Sequence, residues 1–299
     1  MDYSVYLIYQ FFAWVFRILP KFIIKHLLDL IAWIAYWVDR KHYRIAKANL
    51  DLAFGNRKSD AEKERIIRSS LLNMVYNLYE FMVLQHTPFE EMQKKMSVEN
   101  EEILLKLLEG DKPIITVSGH YGCWELSLPY FAMQYNPLTI ISRKLNNPYL
   151  NKIFTKARHR QQLNMCEKKG AAKCMVKALR SGRVVAVTID QSIKKSLGVE
   201  VNFFGHKAIQ VDSPVRLATR LDAVILPLYT IREGFEKHRL IFGDPVEVKQ
   251  NMNDDEIVHC SQKLSDMLEK QIRKRPQDWF WQHRRWKVYY PELYKKRVK

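Results

Sequence analysis

The chain has 299 residues, of which 47% are hydrophobic, and a formal net charge of +17. A chain of this size and hydrophobic content can bury a substantial core, which excludes a disordered protein. The surplus positive charge predicts an anionic partner: nucleic acid, an anionic membrane surface, a phosphorylated substrate or an acidic carrier protein. A disulfide framework and a structural metal are not expected, and reduced thiols on a cytosolic face are predicted, because neither a CxxC pair nor zinc-ligand spacing occurs among Cys123, Cys166, Cys174 and Cys260.

The first 38 residues form an almost continuous apolar and aromatic segment. Its longest uninterrupted part, Tyr3 to Phe16, is shorter than the ~20 residues that a perpendicular membrane span requires, and a span extended past Arg17 would be borderline. A helix lying in the membrane interface and a buried pair of core helices are the alternatives. Asp2 stands where a secretory signal carries positive charge, so we do not expect such a signal. We predict a membrane-associated helical segment at 1–38; if it spans, the basic residues near its end place the remaining chain in the cytoplasm.

After this segment, helical and strand-like patterns follow one another along the chain. A capping box at Ser59 and Glu62 opens one predicted helix, and another, from Glu99 to Leu108, ends at Gly110. The apolar periodicity predicts helices at 42–54, 59–82, 147–162, 171–182, 213–222 and 252–276, and strands at 113–120, 138–143, 183–190, 223–231 and 238–248. This alternation predicts an α/β fold with a mixed, largely parallel sheet and crossover helices, preceded by the N-terminal membrane-associated helical segment. No repeat or linker divides residues 39–299, which we predict to form one domain.

The segment VSGHYGCWEL, residues 117–126, places His120 beside a glycine at the end of a predicted buried strand, with Glu125 five positions later. Side chains five positions apart in a regular helix point ~140° apart, so the two meet only if His120 precedes the first helical turn. Gly119 and Gly122 make such a turn feasible. A histidine held by a carboxylate can take the proton of a hydroxyl as its oxygen attacks an acyl group. We therefore predict His120 as a general base, with Glu125 holding one of its ring nitrogens.

A second histidine–acid pair shows that spacing alone does not identify a site. His86 and Glu91 have the same separation, but His86 precedes Thr87 and Pro88 in a connector after a helix. A side chain at a strand end can project into a cleft, whereas one in a connector has no such position. The predicted catalytic pair is therefore His120 and Glu125.

Several segments, in order along the chain, resemble the late (lauroyl/myristoyl) acyltransferases of lipid A biosynthesis, a branch of the glycerolipid and lysophospholipid acyltransferase superfamily. RKHYRIAKANLDLAFG resembles the basic stretch and Asn-Leu-x-x-Ala-Phe segment of that family, and HYGCWE its His-x4-Glu block. ISRKLNNPYLNKIFTKARHR resembles the block with Arg143, Asn-Pro, Arg158 and Arg160. VVAVTIDQ ends in Asp190 and Gln191, and PQDWFWQHRRWK resembles the closing Trp-x-His-Arg-Arg-x-Lys. The matches cover about residues 40 to 287.

The resemblance implies an acyltransferase domain at 39–299 that transfers an acyl group to a lipid hydroxyl without a covalent intermediate, metal or cofactor. It implies that His120 is the base and Glu125 its partner. It also implies an acyl-acyl-carrier-protein donor and a phosphorylated lipid A precursor as the acceptor. The expected location is the cytoplasmic face of the bacterial inner membrane. The resemblance places substrate binding at Arg143, Arg158, Arg160, Asp190 and Gln191, with Arg143 contacting phosphate.

Some features leave alternatives open. Arg158 and Arg160 lie two positions apart on one predicted helix, so they cannot both face one ligand. Cys123 lies inside the His-x4-Glu block, and the resemblance gives that position no chemical role. The basic and aromatic tail, 273–287, could stack on bases or lie among lipid headgroups, and the apolar N-terminal segment favours the membrane. An acceptor such as a lysophospholipid or a glycosylated phosphoinositide, a nucleic-acid-binding protein and a membrane scaffold are the remaining readings; we expect no nucleic acid partner.

Overall fold

The computed structural model describes residues 2–84, 86–142, 144–167 and 170–295, and these residues form an α/β fold. The helices are α1 Asp2–Ile18, α2 Lys21–Val38, α3 Arg40–Phe54, α4 Asp60–Leu84, α5 Phe89–Lys95, α6 Glu101–Leu108, α7 Trp124–Gln134, α8 Pro148–Arg160, α9 Ala171–Arg180, α10 Ser213–Leu221 and α11 Asp254–Lys274. The strands are β1 Met96–Glu99, β2 Ile114–Ser118, β3 Leu138–Ile141, β4 Leu163–Cys166, β5 Val184–Thr188, β6 Gly198–Phe203, β7 His206–Val211, β8 Val224–Gly234 and β9 Lys237–Phe242.

A seven-stranded sheet in the order β1-β9-β8-β2-β5-β3-β4 forms the centre of the molecule. The five strands from β8 to β4 are mutually parallel, and β9 pairs antiparallel with β8 and parallel with β1. Two apolar clusters cover the two faces of this sheet. The predicted mixed, largely parallel sheet is confirmed. The sequence patterns missed β1, β4 and the β6–β7 hairpin. β1 and β4 have four residues each, too few for a recognisable alternation.

The register of β2 against β5 brings distant parts of the sequence together. Ser118 pairs with Thr188 in the last position of this parallel pair, and the Ile189 backbone N–H donates to the Ser118 carbonyl. The residues that follow the two strands therefore leave the sheet side by side at its carboxyl edge. In open α/β sheets this edge is where ligands bind.

The N-terminal segment folds as two helices that separate at Pro20. α1 packs against α4 and α8, and α2 packs against α4, so each helix has one buried stripe. Large apolar side chains on the remaining surface of α1 and α2 are exposed, among them Trp14, Trp33 and Trp37. Within the described residues, none of the helices combines the length and the apolar character that a membrane crossing requires. The alternative of a fully buried core pair is therefore wrong.

Two predictions drawn from residue types are also wrong. Cys166 at the end of β4 and Cys174 in α9 form a disulfide, while Cys123 and Cys260 are free and buried. The predicted headgroup position of the closing segment does not hold either. The three tryptophans of this segment and one of its arginines are 0–1% exposed: Trp279, Trp281, Arg285 and Trp286.

Candidate active site

His120 and Asp190 lie face to face at the carboxyl edge of the sheet. Each residue stands two positions beyond the last paired residue of its strand, His120 after β2 and Asp190 after β5. The Nδ1 atom of His120 is 2.8 Å from Oδ1 of Asp190, and the His120 backbone N–H donates to Oδ2 over 2.7 Å. Asp190 was predicted as a substrate-binding residue, but in the structure it fixes the histidine ring.

The Asp190 carboxylate is buried and fully engaged. Besides the two bonds from His120, it accepts a hydrogen bond of 2.9 Å from the Trp279 indole N–H. Burial opposes ionisation of Asp190, but His120 and these donors outweigh burial and hold the pKa of Asp190 well below its usual range. Burial lowers the pKa of His120, whereas the Asp190 charge and hydrogen bond raise it, and the net effect is a pKa above the ordinary value. The pair is therefore built to stabilise an imidazolium.

The second ring nitrogen of His120 faces an amide donor. Nε2 of His120 is 3.2 Å from Nε2 of Gln191. An amide NH₂ can only donate, so this contact is a hydrogen bond when Nε2 of the histidine carries a lone pair and Nδ1–H donates to Asp190. This tautomer leaves the basic lone pair on the side of Gln191. Both residues line the same cavity.

A cavity of about 430 Å³ opens beside His120, between the sheet and α7. Its walls are mainly apolar and come from successive parallel strands and from the first turns of α7. Parallel strands present alternate side chains to one face, which explains why β2, β3, β5 and β8 contribute together. The strand side chains that line it include Thr116, Ile140, Ala186 and Leu228, and α7 contributes Trp124, Ser127 and Leu128.

The predicted contact between Glu125 and the His120 ring is not formed. Asp190 occupies the position next to Nδ1 of His120, and Glu125 lies in the first turn of α7. Oε2 of Glu125 instead accepts a hydrogen bond of 3.1 Å from Nη2 of Arg158 on α8. The prediction was wrong because spacing within one segment cannot reveal an acid that arrives from a neighbouring strand. Glu125 and Arg158 both line the cavity, so both remain site residues.

The other predicted residues have different positions. Arg160 is exposed, whereas Arg158 is part-buried against the cavity, as expected for two arginines two positions apart. Arg143 lies outside the described residues, so its phosphate contact stays a prediction. His86 is exposed, and the carboxylate of Glu91 pairs with Lys94 at 2.7 Å. The second His-x4-Glu pair therefore forms no site.

The loop after His120 is held against α4 and the closing segment. Gly122 has a φ of +56°, and a Cβ atom there would lie 1.6 Å from the Thr230 carbonyl oxygen, so only glycine fits. The Gly122 N–H donates to the Asp278 carbonyl, and its carbonyl accepts from the side-chain amides of Asn73 and Asn77. Backbone and side-chain bonds thus fix the segment that carries His120.

A buried ion pair lies behind this loop. Arg232 donates twice to Glu80, each time over 2.6 Å. Burial opposes ionisation of Glu80, but the charge of Arg232 outweighs burial and holds the pKa of Glu80 well below its usual range. Glu80, Cys123 and His238 could together supply three metal ligands, but Arg232 already neutralises the carboxylate. Burial and the Glu80 charge raise the pKa of Cys123 well above its ordinary value, so this residue is a thiol that donates to Glu80. A cysteine nucleophile is therefore not supported.

Sequence reasoning missed the role of the closing segment in the site. Trp279 bonds Asp190, the Phe280 N–H donates to the His120 carbonyl, and Arg285 donates to the Gln191 carbonyl. One signal was available for Asp190: two buried parallel strands that each end in a polar side chain place these side chains together if the strands are neighbours. No comparable signal marks Trp279, because aromatic residues suit a core and a membrane interface equally.

Comparison with known proteins identifies a matching family and several distant relatives. A family model described as bacterial lipid A biosynthesis acyltransferase matches residues 1–288. The lipid A biosynthesis lauroyltransferase of Escherichia coli is 24% identical over 276 residues, covering 92% of this chain and 89% of that protein. A phosphatidylinositol mannoside acyltransferase of Mycolicibacterium smegmatis is 20% identical over 244 residues, covering 80% of this chain and 78% of that protein. The crystal structure of a 1-acyl-sn-glycerophosphate acyltransferase from Thermotoga maritima covers 85% of this chain and 97% of its own at 16% identity, with a TM-score of 0.40.

The family match includes every part of the site. It extends from α1 through the strand ends with His120 and Asp190 to the closing tryptophan segment. The chain belongs to the bacterial lipid A biosynthesis acyltransferase family and is an acyltransferase.

Proposed function

We propose that this enzyme transfers a fatty acyl group from acyl-acyl-carrier protein to the hydroxyl of a hydroxyacyl chain in a phosphorylated lipid A precursor. The observation that carries this proposal is the His120–Asp190 pair, held at 2.8 Å beside a mainly apolar cavity of about 430 Å³. The cavity can receive an acyl chain, and the pair can receive a proton at its edge. A cofactor or metal has no step in this reaction.

His120 acts as the general base. Its Nε2 lone pair takes the proton of the acceptor hydroxyl while that oxygen attacks the thioester carbonyl. The new C–O bond forms, the C–S bond breaks, and the proton passes from His120 to the departing thiolate of the carrier. Asp190 keeps Nδ1–H in the correct tautomer and stabilises the imidazolium that forms during the attack. Asp190 is therefore a positioning residue, and His120 is the catalytic residue.

Arg158 supplies the positive charge on the cavity side of His120. Its guanidinium is held by Glu125 at 3.1 Å, and both side chains line the cavity. A planar guanidinium fixed at one end can offer its remaining N–H groups to a phosphate of the acceptor. In this proposal Glu125 orients Arg158 rather than the His120 ring. Arg143, Arg160 and Gln191 complete the substrate-binding set.

The exposed apolar surface of α1 and α2 supports a location of the enzyme on the inner membrane, and we propose that the site faces the cytoplasm. Trp33 is 62% exposed and Trp37 is 53% exposed, and an indole is favoured at the headgroup level of a bilayer. The net charge of +17 suits both an anionic leaflet and an acidic carrier protein. A lipid acceptor would then reach His120 without leaving the bilayer surface.

One alternative acceptor has specific support. The phosphatidylinositol mannoside acyltransferase of Mycolicibacterium smegmatis is nearly as similar to this chain as the lauroyltransferase of Escherichia coli, at 20% against 24% identity. A glycosylated phosphoinositide also presents a hydroxyl beside a phosphate. Incubating the enzyme separately with a lipid A precursor, a glycosylated phosphoinositide and a lysophospholipid, followed by mass spectrometry of the products, distinguishes these acceptors.

The two His-x4-Glu pairs provide a matched test of the mechanism. His120→Ala is expected to lower acyl transfer from acyl-acyl-carrier protein by about 10³-fold or more, because it removes the base and leaves Asp190 with no ring to orient. His86→Ala removes an exposed histidine with the same sequence spacing and is expected to retain full activity. Both variants should remain folded, and His86→Ala should unfold at the wild-type temperature. Near-normal transfer by His120→Ala, or equal losses in the two variants, contradicts the proposal.

A further inference from the structure

Arg285 is a fully buried cation for which the described residues provide no carboxylate within salt-bridge distance. It is 1% exposed, and its Nε and Nη2 atoms have no hydrogen-bond partner among the described residues. Only Nη1 is bonded, to the carbonyl oxygens of Ile209 at 2.7 Å and Gln191 at 3.3 Å. The guanidinium carbon also lies 5.1 Å from the centre of the Phe203 ring. Hydrogen bonds to two carbonyl oxygens and a contact with one aromatic ring offset only part of the free energy lost when a charged guanidinium is buried.

Such an arrangement is unfavourable for stability. Buried arginines are normally paired with a carboxylate, and an unpaired buried charge is strongly destabilising. Burial lowers the pKa of Arg285 to about 10, which still leaves it positively charged at neutral pH. By contrast, its neighbour Arg284 is exposed and lies 6.0 Å from the Tyr294 ring centre. A charge kept in the core at this disadvantage points to a function.

The position of Arg285 indicates what that function is. Its Nη1 holds the backbone of Gln191, whose side-chain amide contacts Nε2 of His120. The residue before Gln191 is Asp190, and the carboxylate of Asp190 is the negative group that acts most strongly on the Arg285 charge. Arg285 thus bonds the backbone of Gln191. The side chains of Asp190 and Gln191 in turn contact the two ring nitrogens of His120.

We propose that Arg285 is a positioning residue: its buried charge offsets that of Asp190, and its Nη1 anchors Gln191, so that His120 rests as a neutral, correctly oriented base. This inference rests on the function proposed above. Without the cation, the full field of Asp190 would act on His120 and keep the imidazole protonated, and a protonated imidazole cannot accept a proton. Asp190 must stay ionised, but its charge must not favour the protonated form of His120 too strongly. In this proposal Arg285 reduces that effect of the Asp190 charge.

Other charged groups also act on this unit. Glu125 raises the pKa of His120 from the α7 side, although Arg158 is paired with that carboxylate. His283 lies on the closing segment; burial lowers its pKa to about 4, so it is neutral at physiological pH. His283 and Arg285 both interact electrostatically with Asp190 from the closing segment. Of these two groups, Arg285 is the one that carries a charge at neutral pH.

The first test is the pH dependence of kcat/KM. In Arg285→Met, the pKa of His120 rises, so the acid limb of the profile should move up by about one pH unit. Arg285→Lys keeps the positive charge but loses the planar guanidinium. The acid limb of its pH profile should therefore stay in place while kcat falls. Arg284→Met removes the adjacent exposed charge and should match the wild type. A uniform loss at every pH in Arg285→Met, with the limb unmoved, shows a merely structural role and overturns the proposal.

The second test measures stability and needs no activity. Asp190→Asn leaves Arg285 without its counter-charge, so adding Arg285→Met to that variant should raise the unfolding temperature of the full chain. The proposal is overturned if the two substitutions change the unfolding temperature additively. It is also overturned if Arg284→Met shows the same coupling to Asp190→Asn as Arg285→Met does. If Arg285→Met alone does not fold, the double variant decides: a folded double variant supports the coupling, and an unfolded one refutes it. Because this coupling is independent of acyl transfer, it separates failure of the inference from failure of the proposed function.

Discussion

The exchange of Asp190 for asparagine removes the charge beside His120 while keeping the shape of the side chain. Asp190 accepts three hydrogen bonds: from Nδ1 and the backbone N–H of His120, and from Trp279. The asparagine amide has one oxygen, which can keep the hydrogen bonds from the His120 backbone N–H and the Trp279 indole N–H that Oδ2 now accepts. Its NH₂ group must then face Nδ1 of His120, and two donors cannot bond each other.

The ring of His120 resolves this conflict by carrying its proton on Nε2. That tautomer has no lone pair on the side of Gln191, where the acceptor hydroxyl must be deprotonated. An equivalent change in a Ser-His-Asp triad lowers kcat by about 10⁴, which corresponds to about 5 kcal/mol of transition-state stabilisation. We expect a loss of about 10³-fold to 10⁴-fold in Asp190→Asn.

The pH dependence should change in a defined direction. Asp190 raises the pKa of His120, so its removal lowers that pKa, and the residual activity should reach its plateau at a lower pH than in the wild type. The matched control is Glu125→Gln, which removes the negative charge beside Arg158 without changing a hydrogen-bond partner of either ring nitrogen of His120. Transfer of acyl groups to the accepted lipid, followed by mass spectrometry across a pH series, measures both variants. A larger loss in Glu125→Gln than in Asp190→Asn would refute the assignment of Asp190 to the ring.

Three further predictions follow from single contacts. Gly122→Ala places a Cβ 1.6 Å from a backbone carbonyl oxygen of β8 and should destabilise the fold by about 3 kcal/mol or more in thermal or denaturant unfolding, whereas Gly182→Ala, at φ +74° in open space, should cost about 1 kcal/mol. Ala186→Phe fills part of the cavity and should shift the products toward shorter acyl chains by about tenfold, measured by competition between donors of different chain length. Trp33→Ala and Trp37→Ala should each weaken binding to anionic vesicles by about tenfold or more in flotation assays without changing the unfolding temperature, because both indoles are exposed; unchanged flotation would argue against membrane contact through α2.

The sequence was sufficient for the main architecture and for the position of His120 at the end of a buried strand. Alternating apolar strands and amphipathic helices depend on burial within each element, and the parallel sheet of the structure agrees with them. The capping box at Ser59 and Glu62 is present, since the Glu62 N–H donates to Ser59 and the Ser59 N–H donates to Glu62. The apolar periodicity and the capping box depend on residues close together in the chain, so they can be predicted from a single sequence.

The partners of His120 could not be predicted in the same way. Asp190 is 70 positions away, and whether β5 lies next to β2 depends on strand order, which the apolar pattern of each strand does not specify. The same limit applies to the Cys166–Cys174 disulfide, which depends on how β4 meets α9. It applies also to Trp279, because an indole is favoured in a core and at a lipid interface alike.

The long-range origin of these contacts explains how the proposed base can be held in place independently of the cavity walls. The backbone N–H of His120 donates to Asp190 and its backbone carbonyl accepts from Phe280, so both backbone polar groups of His120 are held by parts of the chain far away in sequence. With the backbone clamped, Asp190 and Gln191 fix the ring itself, and no closing loop is needed to aim the base. The cavity walls and Arg158 belong to different elements, α7 and α8 among them, and can change without moving the His120–Asp190 pair. Under the proposed function, changes confined to those walls should therefore alter the accepted acyl chain or acceptor while the pair stays in place.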